Sequence, residues 1–266
     1  MNPEILYEDE QYIIFNKPAG LVVHADGRSK EATFADWLLE NRPEMKDVGE
    51  PLVILPGTEK EQKILRPGIV HRLDKETSGA IVVAKTTAAF EDLKEKFQNR
   101  EVGKKYHTFV YGNLSEEDGT INRPIGRSKS DFRKWSAQRG ARGEMREAVT
   151  NYRVLAHGEI TGVKFDFVEV EPKTGRTHQI RVHFKAIHHP VIADSLYAEN
   201  QTPVPADVES GSGLGPNLGF KRLALHAHEI SFMPKSRAKN PKKITIQAPY
   251  PEDFAMAVKL MDKKTA

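Results

Sequence analysis

The feature that most restricts this chain is GAIVVAK at residues 79–85, a nearly continuous apolar run set directly behind the polar segment HRLDKETS at 71–78. Such a run reads as a strand buried on both sides, so the chain must place packed material over each of its faces. Thr86 or Thr87 then caps a helix in which Phe90, Leu93 and Phe97 fall at i, i+3 and i+7.

The remaining pattern is mixed. ILY (5–7), YIIF (12–15) and LVVH (21–24) read as a small antiparallel unit, with Lys17-Pro18-Ala19-Gly20 turning the chain into the third run. Thr33 caps a short helix with Phe34, Trp37 and Leu38 on one face. Strands are expected at 105–112, 148–157, 162–171, 222–232 and 243–249, and a helix after Thr177 with Ile180, Phe184 and Ile187 as its buried stripe. Strands outnumber helices without alternating with them, which predicts an α+β fold with a mixed, mainly antiparallel sheet and flanking helices. Stretches 41–63 and 198–219, rich in Pro, Gly and charge, read as long loops, as does 127–146.

Composition removes several classes. At 266 residues and 38% hydrophobic content the chain can bury a sizeable core, roughly 73% of the unfolded surface at this mass. The absence of Cys excludes disulfide scaffolds, thiolate zinc sites and thiol nucleophiles. No apolar run approaches the ~20 residues of a membrane helix, and the acidic start MNPEILYEDE is not a signal peptide. A cytoplasmic location is expected. The motifs G-x-x-x-x-G-K-[ST], G-x-G-x-x-G and G-x-S-x-G do not occur, so phosphate-loop, dinucleotide and esterase readings have no support. The histidines do not form a metal motif: His178 and His183 are five apart, and His188/His189 and His226/His228 match no ligand spacing.

Charge is uneven. The net +3 conceals 8 Lys+Arg against 13 Asp+Glu in residues 1–66, and 32 against 24 thereafter. Residues 127–146 carry seven basic and two acidic residues with Phe132 and Trp135 interleaved, and 234–243 carry five basic residues and no acidic one. A lone charge run is usually a solvated loop. Basic loops with aromatics among them also suit a polyanion whose bases stack, which is nucleic acid. Lys129, Arg133, Lys134, Trp135, Arg139 and Arg142 are the candidate RNA contacts.

Three segments concentrate polar groups next to apolar ones. In 66–85, His71, Arg72, Asp74, Lys75, Glu76, Thr77 and Ser78 crowd the entrance of the buried strand, with Leu73 alone facing inward. Asp74 beside Arg72 can be a structural ion pair, or an ionised carboxylate available as nucleophile or general base. In 169–190, His178, Arg181 and Lys185 share a helix face opposite the apolar stripe, suited to an anion or simply solvated. In 103–112, Tyr106 and His107 open a strand behind two lysines, where a tyrosine is ordinarily packing.

HRLDKETSG (71–79), KKYH…YG and GRTHQIRVH (175–183), with NKPAGLVVH (16–24) and LALHA (223–227), closely resemble the RluA-type family of RNA pseudouridine synthases. The agreement keeps the family's order from about residue 5 to residue 248. The resemblance implies a bent sheet in a single catalytic domain of two lobes around a central cleft. It implies a cofactor-free and metal-free isomerisation in which uridine is detached from C1′, turned and rejoined through C5. Asp74 corresponds to the essential carboxylate, Tyr106 to the tyrosine against the base, and Arg181 to the basic residue paired with the aspartate. Arg72 corresponds to the arginine that fills the space of a flipped-out base, and Leu225 to a hydrophobic position near it. His71, Thr77, Arg176 and His178 fall in the same motifs and are carried as substrate-binding residues. The S4-type RNA-binding module of many members is not expected, and 41–66 is longer than in compact members. Ribosomal and transfer RNA are both open as partners, and a monomer is expected. Two rival readings stand beside this one: a non-catalytic RNA-binding or ribosome-assembly protein on the same fold, and a nucleosidase, which would need a second carboxylate that Glu76 is poorly spaced to provide.

Overall fold

A computed structural model describes residues 2–25, 27, 31–59, 61–138, 141–160, 162–198, 217–235 and 242–262. In chain order the elements are β1 (Glu4–Glu8), β2 (Tyr12–Lys17), α1 (Phe34–Asn41), a 3-10 turn (Pro43–Met45), β3 (Leu52–Ile54), β4 (Gln62–Ile64), β5 (Ser78–Ala84), α2 (Thr87–Gln98), β6 (Gly103–Tyr111) and β7 (Asp118–Asn122). They continue with β8 (Ile125–Arg127), β9 (Trp135–Ser136), β10 (Arg142–Arg146), β11 (Val149–Ile160), β12 (Val163–Pro172), α3 (Gln179–Ala186), β13 (Leu225–Phe232), β14 (Ile244–Gln247) and α4 (Glu252–Asp262). The α+β class expected from the pattern is the class observed. The chain divides into two compact units, Met1–Lys104 with Ala227–Pro249 and Lys105–His226 with Tyr250–Ala266.

In the first unit the strand order is β1-β2-β5-β13, with β14 on β13. All seven residues of β5 are buried. Its register against β2 runs antiparallel from Tyr12↔Ala84 to Lys17↔Gly79. Helix α1 begins with a reciprocal cap: the Thr33 hydroxyl accepts the Asp36 N–H, and the Asp36 carboxylate accepts the Thr33 N–H at 2.8 Å. Helix α2 begins at Thr86, whose hydroxyl accepts the Ala89 N–H, and buries Phe90 and Leu93.

Two sequence expectations fail in this unit. LVVH (21–24) is not a strand; its single ladder contact is a parallel bridge between Val22 and Thr33. Gly20, at φ 86, turns the chain away from β2, and the Val22 and Val23 carbonyls accept the first N–H groups of α1 instead of strand partners. The stretch 41–63 is not a plain loop, since it holds the 3-10 turn and the strands of the β3–β4 hairpin, which reaches Ile64. Its strands are three residues each with none of them buried, too short to show the apolar alternation that marks a strand in sequence.

In the second unit the order is β6-β12-β11-β7. The β11–β12 pairing runs from Thr150↔Pro172 to Ile160↔Val163. A cluster including Phe109, Phe165, Val168, Ile180, Phe184, Leu223, Leu225 and Phe254 forms its core, and Tyr106 packs against it. Helix α4, which the pattern analysis passed over, supplies Phe254, Ala257 and Met261 to that core. A separate three-stranded sheet, β10-β8-β9, takes in residues 127, 135–136 and 142–146 of the expected loop, and the described residues between these strands are turns and irregular chain. The loop expected at 198–219 lies outside the described residues except at its ends, as does most of the basic run 234–243.

Two residues, Gly79 in β5 and His71 ahead of it, make the packing testable. Gly79 has φ +111, and a Cβ there would lie 2.2 Å from the Ala227 carbonyl oxygen. Backbone cannot yield that distance cheaply, so Gly79→Ala is expected to lose at least about 3 kcal/mol in urea unfolding. His71 accepts the Val82 N–H on Nε2 at 3.1 Å and stacks on Phe97 with centroids 4.6 Å apart. Burial, reinforced by the Lys104 charge, pushes the imidazole down to about 3 from its ordinary 6.5. Below pH 6.5 the unfolded chain takes a proton that the folded chain refuses, so this group's contribution is complete above 6.5 and falls as the pH drops towards 3. Relative to His71→Gln, the wild type should lose about 1 kcal/mol of unfolding free energy per pH unit between 6 and 4. Parallel pH profiles of the two proteins would overturn that assignment.

Candidate active site

The polar turn ahead of β5 is held from below by a buried cation. Lys17 is 0% exposed, and its ammonium donates to the carbonyls of Pro18 at 2.9 Å, Leu21 at 2.8 Å and Lys75 at 3.2 Å. An ammonium has three N–H donors, so three carbonyls are a full complement. The Gly20 N–H also bonds the Lys75 carbonyl, at 2.8 Å, and the Thr77 N–H bonds that of Asp74 at 3.1 Å. NKPAG and LDKET are thereby tied into one rigid turn. On it Leu73 is buried, Asp74 is partly exposed and Arg72 is exposed. Lys75 reaches outward to Glu31 at 2.9 Å. Thr77 is buried, and its hydroxyl has no hydrogen-bond partner among the described residues. His71 and Thr77 therefore sit behind the turn, while Arg72 and Asp74 present their side chains at its surface.

The second unit carries Tyr106, Leu225, Arg176, His178 and Arg181. Tyr106 is on β6 opposite Val170 of β12, half-buried against the core cluster that contains Leu225. Helix α3 differs from the expected one-sided helix. Its cap is His178 rather than Thr177, and every residue from Gln179 to Phe184 is buried. The polar side chains face an internal network instead of solvent. Gln179 accepts the Thr174 hydroxyl at 2.7 Å and the Arg176 N–H at 3.0 Å, and donates to the Val149 carbonyl and the Thr150 hydroxyl. His183 bonds the Thr150 hydroxyl and the Arg123 carbonyl, each at 2.9 Å, and burial lowers its pKa. Arg176 donates from Nε to the Glu147 carbonyl at 3.0 Å.

Arg181 is 7% exposed and is gripped by Asp194, a residue the sequence reading missed. Nε and Nη2 donate to the two carboxylate oxygens at 2.7 and 2.9 Å, and the Asp194 side chain is fully buried. This two-point pairing fixes the plane of the guanidinium while using two of its five N–H donors. The signal in sequence was slight: one acidic residue in VIADSLY, behind the apolar pair Val191 and Ile192.

The β8–β10 sheet carries the candidate RNA contacts. Phe132, at the tip between β8 and β9, is 79% exposed. The Arg127 guanidinium lies 4.3 Å from the Trp135 ring centroid. Lys129 and Arg142 are exposed and Lys134 is half-buried. Arg133 is engaged bidentately by Asp131 at 2.7 and 3.1 Å, which holds that carboxyl down to about 2. Arg139 lies outside the described residues. Among the described residues no group of three or more His, Asp or Glu is placed to hold a metal ion, and no helix is long and apolar enough to cross a membrane.

Comparison with known proteins agrees with this arrangement. An uncharacterized RNA pseudouridine synthase of Synechocystis is 39% identical over 94% of this chain and 66% of its own length. A ribosomal large subunit pseudouridine synthase D of Zymomonas mobilis is 33% identical over 97% of this chain and 72% of its own. The chain thus spans about two thirds to three quarters of the length of these relatives. Among solved structures, human RNA pseudouridylate synthase domain containing 4 superposes with a TM-score of 0.68 at 26% identity, covering 97% of this chain and 93% of that one. The family match extends over residues 11–186, which include the Lys17 clamp, the Asp74 turn, Tyr106 and helix α3. A chain that keeps both polar motifs and matches its relatives over nearly its whole length belongs to the RNA pseudouridylate synthase family.

Proposed function

We propose that this chain converts uridine to pseudouridine in ribosomal RNA, with Asp74 as the carboxylate that acts on the ribose. The observation that supports the reading is the turn around Asp74: Lys17, His71 and the Thr77 amide are bonded within it, so the partly exposed Asp74 stands on a rigid frame ahead of the buried strand. Family membership supplies the reaction class, and relatives named for the large ribosomal subunit favour ribosomal over transfer RNA.

The chemistry is balanced within the nucleotide. The C1′–N1 bond breaks, the uracil turns, a C1′–C5 bond forms, and the proton on C5 is lost as N1 gains one. Asp74 either attacks C1′ or removes a ribose proton, and both routes use the same residue. Tyr106 offers its ring to the base and a phenol near the C5 proton, and Leu225 backs the ring through the shared core cluster. A uridine in a stem must be extruded, with a few kcal/mol of unstacking to offset. Arg72, exposed beside Asp74, is suited to fill the vacated stack. Arg176 and His178, at the start of α3, are placed for the RNA backbone. His71 and Thr77, enclosed behind the turn, act by positioning Asp74. Phe132, with the Arg127–Trp135 pair behind it, gives the small sheet a stacking face flanked by Lys129 and Arg142.

Two outcomes are expected. Asp74→Asn should reduce tritium release from [5-³H]uridine-labelled ribosomal RNA by at least about a thousandfold, with RNA affinity within threefold of wild type. Binding lost in step with turnover would place Asp74 in RNA recognition instead, and free uracil among the products would replace the isomerase with a nucleosidase. Phe132→Ala should weaken RNA binding by about 1–3 kcal/mol in an anisotropy titration, and an unchanged Kd would remove the small sheet from the interface.

A further inference from the structure

Tyr197 stands outside the motifs that carry the family resemblance, yet several groups of the second unit converge on it. Its ring is 5% exposed and packs with Ile125, Ala148 and Val182, a cluster that joins β8 to α3 and against which Trp135 rests. The Arg181 guanidinium lies over the ring, 5.1 Å from the centroid. The phenol oxygen accepts the backbone N–H of Trp135 at 2.9 Å and hydrogen-bonds His178 Nδ1 at 2.9 Å. Asp194, which grips Arg181, also accepts the Tyr197 N–H at 3.1 Å and the Leu196 N–H at 2.9 Å. One carboxylate thus fixes both the guanidinium and the turn that carries the phenol.

His178 gives independent testimony that something is held there. Its backbone sits at φ 55 and ψ 22, in the left-handed region, and α3 starts without a side-chain cap. A residue with a Cβ stays in that region when surrounding contacts hold it. The contact on its ring is Tyr197, set edge-on with centroids 5.7 Å apart and planes at 82°. A phenylalanine would fill the same apolar pocket. The hydroxyl joins Trp135 on one side and His178 on the other.

We propose that Tyr197 is a positioning residue that couples the small basic sheet to α3, so that RNA seated on the Trp135 strand and the orientation of Arg181 and His178 are set through one phenol. The proposal rests on the RNA pseudouridine synthase reading and adds to it a residue and a route of coupling.

Tyr197→Phe tests it, with a transcript of large-subunit ribosomal RNA as the probe. A variant that merely folds less well loses active fraction, which lowers apparent kcat and leaves KM alone. Coupling predicts instead that KM in the tritium-release assay and Kd in an anisotropy titration both rise at least threefold, with kcat about tenfold lower. A rise below threefold in either KM or Kd overturns the proposal. Wild-type protein that binds this RNA without releasing tritium defeats the functional reading, and Tyr197 is then judged on Kd alone; wild-type protein that does neither overturns both. Should Tyr197→Phe not fold, His178→Ala cuts the phenol from α3 at its other end. Amide hydrogen exchange at Trp135 is then expected to quicken at least threefold, and unchanged exchange would sink the coupling.

Discussion

Seven consecutive buried residues in β5 leave the chain no contact with water between Ser78 and Ala84, and the charges just ahead of that strand must be managed by the protein itself. The Lys17 ammonium is the main device. A buried cation without partners would be strongly destabilising, and here three carbonyls from two segments surround it. Those carbonyls belong to the turns that lead into α1 and into β5, so satisfying one charge also fixes where Asp74 emerges. Gly79 completes the constraint from the other side, because its lack of a side chain lets β5 approach the Ala227 carbonyl. The register Lys17↔Gly79 places the two devices opposite each other on neighbouring strands.

The second unit solves the same problem with different chemistry. Arg181 is buried like Lys17, but its partner is a carboxylate, and the fork of the guanidinium matches the two oxygens of Asp194. The Lys17 contacts tie carbonyls of two segments together, whereas the two-point Arg181–Asp194 pairing fixes the plane of the guanidinium.

How much of this could be read in sequence depended on whether the signal was local. The buried run of β5, the Thr33 and Thr86 caps and the β11–β12 pair were legible, because apolar patterning and hydroxyls at helix starts act within a few residues. Asp74, Tyr106 and Arg181 were singled out through motif likeness. LVVH was misread because three apolar residues in a row do not say whether a partner strand exists; the Val22 and Val23 carbonyls accept the first N–H groups of α1 instead. The strands β3, β4, β8 and β9 were invisible because two or three residues are too few to show a period, and β10 because its five residues are exposed and largely polar. Helix α4 was missed despite Phe254, Ala257 and Met261 at i, i+3 and i+7, a stripe the pattern did contain. Asp194 and Tyr197 were illegible for a stronger reason. Their partners lie 13 and 62 residues away along the chain, and no periodicity reports a pairing that only tertiary structure creates.

The burial of α3 also explains why a basic helix face was the wrong description of GRTHQIRVH. A solvated face needs only charge, and any arrangement of Lys and Arg would serve. What α3 holds instead is Gln179, Arg181 and His183, each bonded to a particular donor or acceptor on β11, on the Thr174 turn or at Asp194. Every one of those groups would be costly to bury unpaired, so the network specifies one position for the helix along its axis and one rotation about it. The apolar stripe of Ile180 and Phe184 could tolerate small slides, whereas the polar contacts cannot. That intolerance also fixes the angle of the Arg181 guanidinium. The same logic accounts for the strained cap: with the rotation of α3 set by its polar contacts, His178 is carried into the left-handed region, and its imidazole meets the Tyr197 hydroxyl there rather than trailing into solvent.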